Sequence, residues 1–247
     1  MGVREDTLKM LWQGLSPKEI SRARGVNIHT TLGYLDQLVG RGDLRRSDIF
    51  FSVHKDIRAA VPTSLISSEL YTIQEVSNLL KQVHINADPE DILVLIKYGD
   101  SRHALGDMYE DVRTIETHLH QIIRDTLTET YGEGEMEWWR KGIPLSIRQT
   151  CQSRREEDED PVEEPYCYTD LLDLWHIFDK QWNTLKDALP DKFKADKRSL
   201  RKNLIRLNKI RRQVMHPVRG VIPSEEDFEF IREFKVQLAL SVRMSLF

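Results

Sequence analysis

Apolar residues recur at intervals of three and four along most of the chain, which is the spacing of amphipathic α-helices. Stretches that alternate apolar and polar residues, as half-buried strands do, are scarce, and Asp48–Val53 is the best candidate for a strand. One of the clearest helical stripes consists of Leu171, Trp175, Phe178, Trp182 and Leu185. The sequence therefore predicts a mainly α fold.

Length, hydropathy and cysteine content exclude several protein classes. A chain of 247 residues suits one large domain or two ordinary ones. No stretch reaches the roughly 18–20 uncharged apolar residues of a membrane helix, so we expect no membrane partner. The N-terminus lacks the basic start and apolar run of a secretory signal, so we expect a cytoplasmic location. The two cysteines, Cys151 and Cys167, can provide neither a disulfide framework nor a four-ligand zinc site.

Charge is unevenly distributed, although the net charge is only −4. Residues 156–164 contain seven acids and no base, which predicts a solvated loop. Residues 191–219 contain eleven Lys or Arg against two Asp, on a segment that also has helical apolar spacing. A basic helix face is the usual footprint of a phosphate-bearing partner. The alternative is that these cations pair with the acidic loop.

The N-terminal residues follow the order helix, capped helix, glycine turn, helix. After a first helix at Thr7–Leu15, Ser16-Pro17-Lys18-Glu19 has the capping-box spacing with proline at the first helical position. Gly25 breaks this second helix, and Asn27 can cap a third, as in a helix-turn-helix. The third helix is expected to expose side chains that can reach phosphates or base edges: His29, Thr30, Thr31, Tyr34 and Gln37.

A family resemblance supports this interpretation of the N-terminus. The chain resembles the small helix-turn-helix domain of some RecQ-family helicases and of stand-alone bacterial proteins over TLKMLWQGLSPKEISRARGVNIHTTLGYLDQLVGRGDL. The matching pieces are the leucine-rich first helix, GLSPKEISRARGVN, TTLGYLDQLV and the closing GDL, with TT where TI is common. The resemblance implies either contact with DNA or RNA through the third helix or packing against neighbouring helices alone. Contact with a phosphate backbone is favoured by five arginines: Arg22, Arg24, Arg41, Arg45 and Arg46.

The segment LNKIRRQVMHPVRG places Arg211 and His216 at the end of the basic helix, with four residues between them. Pro217 disfavours helical geometry at His216, so we expect the helix to end near that residue. A histidine at a helix C-terminus lies beside the negative end of the macrodipole, which favours its protonated form. Because Arg211 lies on the same helix, both side chains can converge on one pocket.

This segment resembles the motif of the HEPN superfamily, a group of four-helix bundles defined by R-x4–6-H. Three other segments match the variety fused to helix-turn-helix domains: the first long helix in MYEDVRTIETHLHQIIRDTLTETYG, the turn after it in EWWRKGIPLSIRQTC and the second core helix in YTDLLDLWHIFDKQW. Together they cover residues 107–246. The residue after the motif arginine is commonly Asn, Asp or His in active members, and here it is Arg212. A second guanidinium either aids phosphate binding or marks a non-catalytic member.

The resemblance implies a metal-independent ribonuclease without a cofactor, acting as a homodimer in which two motif helices face each other across a cleft. The RNA 2′-hydroxyl would attack the neighbouring phosphate. His216 would be the general acid or base, and Arg211 would stabilise the charge that develops on the phosphate. Arg212 and Arg219 would hold the flanking backbone. The alternative role for His216 is a cap that satisfies helix carbonyls.

We therefore expect a helix-turn-helix at residues 1–60, a helical extension at 61–106 that ends in a hinge at Tyr98–Asp107, and an HEPN-like bundle at 107–247. The first functional hypothesis is a toxin or antiviral-defence endoribonuclease that binds RNA, DNA or both and has an antitoxin or regulatory partner. The second is a non-enzymatic DNA-binding regulator that dimerises through the bundle. The third is a scaffold that binds a nucleotide or a partner protein.

Two weaker patterns suggest further candidate sites, one for a metal ion and one for stacking on bases. His118 and His120, with Glu116, suggest a metal site, but positions two apart on a helix point in different directions. We therefore expect solvated side chains and no metal. Trp138 and Trp139 could stack on bases, although packing in the core is the favoured interpretation.

Overall fold

The computed structural model describes residues 2–61, 72–99, 101–162, 164–215 and 223–240 of the 247-residue chain. Every regular element in these ranges is a helix and none is a strand, which confirms the mainly α prediction. The chain divides into two compact units, Met1–Asp107 and Met108–Phe247. No helix in the described ranges combines the length and the apolar character needed to cross a membrane.

The first unit is built from seven helices in its described part. They are α1 (Val3–Trp12), α2 (Pro17–Arg24), α3 (Ile28–Gly40), α4 (Arg46–Phe51), α5 (Lys55–Ala60), α6 (Ile73–Gln82) and α7 (Pro89–Tyr98). One apolar core joins α3 to α6 and α7, with Leu35, Val76, Leu80 and Ile92 all buried in it. The predicted helix-turn-helix and the described part of the predicted extension therefore share a core. Within the extension predicted at 61–106, residues 62–71 and 100 lie outside the described residues.

Short-range capping sets both ends of α2 and the start of α3 as the sequence predicts, whereas α1 spans Val3–Trp12 and not the predicted Thr7–Leu15. The Glu19 carboxylate accepts hydrogen bonds from the backbone nitrogen of Ser16 at 2.7 Å and from its hydroxyl at 2.9 Å. The Ser16 hydroxyl in turn accepts from the Glu19 backbone nitrogen, which completes the capping box. Gly25 ends α2 with a φ of 62°, a left-handed conformation that glycine adopts without steric cost. Asn27 then caps α3 by accepting from the His29 nitrogen at 2.8 Å.

The predicted strand at Asp48–Val53 is wrong, because this segment contains most of α4. Asp48 accepts a hydrogen bond from the backbone nitrogen of Arg45 at 3.0 Å and so helps to start the helix. Ile49 and Val53, four residues apart, are both buried, whereas Phe51 between them is only half-buried. Ile49 and Phe51 lie two positions apart on α4 and so point in different directions, as the helical period requires, and Val53 follows the end of the helix. The apparent alternation of Ile49, Phe51 and Val53 concealed this period.

The second unit begins within a long helix, α8 (Ser101–Tyr131), whose first seven residues belong to the first unit. Its other elements are a π-helix (Glu135–Gly142), α9 (Leu145–Glu156), α10 (Leu171–Lys180), α11 (Trp182–Leu185), α12 (Asp191–Ala195), α13 (Lys197–Met215) and α14 (Glu225–Gln237), with short 3-10 turns at Pro165–Tyr168 and Lys186–Ala188. The predicted hinge at Tyr98–Asp107 is therefore helical from Ser101 onward. A single glycine, Gly106, costs a helix only about 1 kcal/mol relative to alanine, which continued helix can offset.

The core of the second unit lies between the apolar stripes of α8, α10 and α13. Residues with little or no exposed surface include Ile115 and Leu119 on α8, Phe178 on α10 and Leu204 on α13. Trp138 and Trp139 of the π-helix are each 6% exposed and pack edge-on against Tyr166. Packing in the core therefore accounts for both tryptophans, and they do not present a stacking platform for bases.

Candidate functional site

The basic helix α13 carries the R-x4-H segment and orients its charges through its apolar stripe. Asp196 starts the helix, because its carboxylate accepts hydrogen bonds from the backbone nitrogens of Arg198 at 3.0 Å and Ser199 at 3.1 Å. One face of the helix is fully buried against the rest of the unit. That face consists of Leu200, Leu204, Leu207 and Ile210. The cations between these positions are consequently turned toward the sides and the outer face.

Arg211 is held by a carboxylate from a distant part of the chain. Its Nε donates a hydrogen bond to Oε2 of Glu116 on α8 at 3.1 Å, across 95 positions of sequence. The Arg211 side chain is 30% exposed and that of Glu116 is 16% exposed, so the pair lies at the edge of the core. Among the described residues no acceptor bonds to the two terminal nitrogens, Nη1 and Nη2, of Arg211. The guanidinium is thus fixed at one nitrogen, while its two terminal nitrogens have no acceptor in the described part of the chain.

Burial raises the pKa of the Glu116 carboxyl, and the neighbouring Arg211 guanidinium opposes this shift. The nearby Asp170 carboxylate adds to the rise in the pKa. A charged carboxylate in this position is costly unless a cation compensates it. Arg211 and Glu116 therefore depend on each other, and neither side chain can be removed without affecting the environment of the other.

The structure describes only the first half of the R-x4-H motif. His216, Pro217 and Arg219 lie outside the described residues, and so does the helix end that the sequence predicts near His216. Arg212 is exposed, as a contact to a nucleic-acid backbone requires. The neighbouring Gln213 has a buried Oε1 without a hydrogen-bond partner in the described part of the chain.

The two histidines beside Glu116 on α8 are not the solvated side chains that the sequence predicts. His120 packs edge-on against Tyr166, with ring centroids 5.1 Å apart, and its Nδ1 lies 3.4 Å from the Thr169 hydroxyl. Burial lowers the pKa of His120 to about 4, and it also lowers the pKa of His118. No group of three or more His, Cys, Asp or Glu side chains is arranged to hold a metal ion within the described ranges.

Helix α3 of the predicted helix-turn-helix presents most of the predicted polar side chains, but not all of them. His29, Thr30 and Gln37 on α3 are exposed, and Tyr34 is half-buried beneath the Arg24 guanidinium at 5.3 Å from the ring centroid. Thr31 was expected on this face and is instead fully buried. It lies three residues after Ile28 and four before Leu35, and so belongs to the inner stripe of α3. Its hydroxyl has no hydrogen-bond partner in the described part of the chain.

The five arginines that the sequence predicts for phosphate contact are engaged by local partners. Arg22 lies 3.5 Å from the Asp88 carboxylate, and Arg41 lies 3.0 Å from that of Asp43. The other three donate to backbone carbonyls of their own unit: Arg24 to Val3, Arg45 to Asp107 and Arg46 to Lys97. These contacts fix the guanidinium groups and leave them less available to a phosphate backbone than their number suggests.

The acidic loop does not neutralise the basic helix in the described residues. Three cations of α13 pair with acids outside the loop: Lys197 with Asp179, Arg206 with Asp227 and Arg211 with Glu116. Loop acids bind elsewhere, since Glu164 forms two hydrogen bonds of 2.7 Å with Arg124 and Asp158 accepts from the Tyr168 hydroxyl. The alternative interpretation, in which the cations of the basic segment pair with the acidic loop at residues 156–164, is therefore not supported by the described contacts.

A cavity of about 760 Å³ lies beside the π-helix and contains no motif residue. Trp138, Trp139 and Tyr166 form part of its wall. The wall contains a single base, Arg124, which already pairs with Glu164. It contains five acids: Asp125, Glu129, Glu133, Glu135 and Glu164. The excess of negative charge makes this cavity unsuitable for a phosphate group.

No protein-family model, no curated protein and no solved structure matches this chain. The resemblances to HEPN proteins and to the helix-turn-helix domain accordingly stay predictions. Sequence reasoning identified Arg211 but missed Glu116 as its partner, because no local pattern connects residues that are 95 positions apart.

Proposed function

We propose that this protein is a metal-independent endoribonuclease of the toxin or defence type, active as a homodimer, with Arg211 and His216 in its site. The observation that carries the proposal is the geometry of Arg211, whose Nε is anchored on Glu116 while Nη1 and Nη2 have no described acceptor. A planar guanidinium with two parallel free donors matches two oxygens of one phosphate. Glu116 acts here as a positioning residue that holds this fork in a fixed direction.

The proposed reaction needs an acid and a base besides this anion site. His216 follows Arg211 by five positions and has the residue type that can take or give a proton near neutral pH. An imidazole takes the proton of the RNA 2′-hydroxyl, whose oxygen attacks the adjacent phosphorus. The bond from phosphorus to the 5′-oxygen breaks, and a protonated imidazole supplies a proton to that oxygen. The products are a 2′,3′-cyclic phosphate and a 5′-hydroxyl, and Arg211 stabilises the charge on the phosphate oxygens.

Incubation of the full chain with end-labelled RNA in EDTA tests this proposal. The wild type is expected to cleave without metal, and Arg211→Ala and His216→Ala are expected to lose cleavage. Arg140→Ala is a matched control, because Arg140 is an exposed arginine on the π-helix and is not part of the motif. Cleavage that requires a divalent metal, or that survives in both motif variants, would refute the proposed site.

A second candidate function is DNA-binding regulation without catalysis. It is favoured by the exposure of His29, Thr30 and Gln37 on α3 of the helix-turn-helix. A recognition helix reads base edges with such side chains in the major groove. A shift of duplex DNA in a gel, together with intact RNA in the EDTA assay, would favour the regulator over the nuclease.

A further inference from the structure

The outer face of α13 carries a stripe of cations that the proposed catalytic site does not use. Its five basic members, together called the outer stripe, are all exposed: Arg198, Arg201, Lys202, Lys209 and Arg212. Helix geometry places them within an arc of roughly 100° and along roughly 20 Å of the axis. Ile205 lies in the middle of the same face and is 49% exposed.

The outer stripe differs from the other cations of the same helix in its pairing. Lys197, Arg206 and Arg211 each contact an acid within 3.3 Å. No member of the outer stripe has an acidic partner among the residues that the structure describes. Like charges four positions apart, such as Arg198 and Lys202, destabilise a helix unless an anion lies between them. The stripe is therefore a place where an external polyanion would relieve repulsion.

Two other interpretations of a basic amphipathic helix do not fit α13. A helix that lies on a membrane or enters the groove of a partner protein must offer its apolar face. The apolar face of α13 is already enclosed in the core, with Leu200, Leu204 and Leu207 fully buried. Its outer face has one exposed apolar residue, Ile205, and no aromatic anchor of the kind that dominates protein–protein interfaces.

We propose that the outer stripe is a track for the phosphodiester backbone of RNA, and this inference rests on the proposed ribonuclease function. Arg212 is the member next to Arg211 in sequence, so a strand bound along the stripe leads toward the anion site at that end of the helix. The contacts are to phosphates and not to bases, so the track binds RNA without regard to sequence. Ile205 supplies one apolar contact for a sugar or a base.

Binding of a non-cleavable 2′-O-methyl RNA to the full chain, measured by fluorescence anisotropy over a series of salt concentrations, tests the track. The test variant is Arg201→Gln/Lys202→Gln/Lys209→Gln. The control variant is Lys81→Gln/Arg140→Gln/Lys180→Gln, which removes three exposed cations from other helices and changes the net charge equally. Thermal unfolding checks that both variants keep the stability of the wild type, as expected for exposed side chains.

The test variant is expected to bind roughly 10- to 100-fold more weakly at low salt, because fewer counterions are released. The slope of log affinity against log salt should become shallower by about 0.7 for each cation removed, hence by about 2 in total. The control variant should keep the slope of the wild type. Unchanged affinity and slope in the test variant would overturn the track. So would tighter binding of an acidic peptide than of an RNA of equal charge, since the stripe would then be a protein-docking surface.

The track and the nuclease can fail independently in these experiments. If RNA stays intact in the EDTA assay while the test variant loses affinity and slope, the proposed catalysis is wrong and the track is supported. If RNA is cleaved normally by the test variant and its binding is unchanged, the nuclease is supported and the track is wrong.

Discussion

The five arginines of the predicted helix-turn-helix and the exposed cations of α13 have different surroundings. In the first unit, Arg22 and Arg41 face carboxylates, and Arg24, Arg45 and Arg46 donate to backbone carbonyls. In the second unit, three cations of α13 form ion pairs with acids. The five cations of the outer stripe are exposed and have no acidic partner in the described part of the chain.

This difference shows that the partners of a charge, and not its presence in the sequence, indicate an anion-binding surface. Both segments contain several arginines close together, and both suggest phosphate contact when only the sequence is considered. An arginine that already donates to a carboxylate or a carbonyl must give up that contact before it binds a phosphate. The outer stripe and the terminal nitrogens of Arg211 carry no such cost in the described structure. We therefore expect the second unit to dominate salt-dependent RNA binding.

The largest expected effect is on catalysis in the second unit. His216→Ala should reduce RNA cleavage by roughly 10²- to 10⁴-fold, the usual contribution of general acid–base catalysis. Arg211→Ala should have an effect of similar size, and Arg211→Lys should restore little, because an ammonium cannot present the paired donors of a guanidinium. Single-turnover cleavage rates measure this, with circular dichroism to verify the fold. A wild type without nuclease activity, combined with a sharp fall in Tm for His216→Ala, would make His216 a structural cap.

The next effect concerns the anchor of Arg211. Glu116→Ala should lower the free energy of unfolding by about 2 kcal/mol, because it leaves a half-buried guanidinium without its acid. Glu116→Gln, which keeps an acceptor oxygen, should cost less. Glu110→Ala is the matched control on the same helix, since its exposed pair with Arg113 is expected to contribute at most about 0.5 kcal/mol. Urea denaturation measures all three, and equal losses for Glu110 and Glu116 would contradict an anchoring role.

A smaller effect is expected in the helix-turn-helix. His29→Ala/Thr30→Ala/Gln37→Ala should weaken binding to nucleic acid by about tenfold, because lost base or phosphate contacts are worth about 1 kcal/mol or more. Tyr34 is left in place because Arg24 packs over its ring. The salt dependence should stay nearly unchanged, since none of the three side chains is a lysine or an arginine that would displace a counterion. Gln74→Ala/Asn78→Ala/Gln82→Ala on α6 is the control, and equal binding by both triple variants would remove the recognition role of α3.

The effect that is smallest at neutral pH is a pH dependence of stability in the second unit, which grows as the pH is lowered. Burial lowers the pKa of His120 to about 4, so the unfolded chain takes up a proton at a higher pH than the folded chain does. The free energy of unfolding should therefore fall as the pH drops from about 6.5 to about 4, by roughly 1 kcal/mol per pH unit. His120→Gln should flatten this slope, whereas His176→Gln, at an exposed histidine, should not. Unfolding curves at several pH values measure the difference.

Much of the fold could be predicted because helix ends depend on residues that are close in sequence. The capping box at Ser16, the left-handed glycine at Gly25 and the cap at Asn27 all lie where the sequence predicts helix boundaries. Each of these signals acts over about four residues or fewer. The predicted strand at Asp48–Val53 failed because six residues do not distinguish a period of two from a period of about four when apolar residues fit both.

The sequence by itself determined the helical class, the helix boundaries at Ser16, Gly25 and Asn27 and the position of the basic segment, since these follow from local spacing and capping. Tertiary structure alone decided which polar side chains are available. Asp88 binds Lys18 at 2.7 Å instead of capping its own helix, Thr31 is turned into the core, and Glu116 reaches Arg211 across 95 positions. The physical reason is that a charge pairs with whichever group the packed core brings within about 4 Å, and packing depends on the whole chain rather than on any one segment.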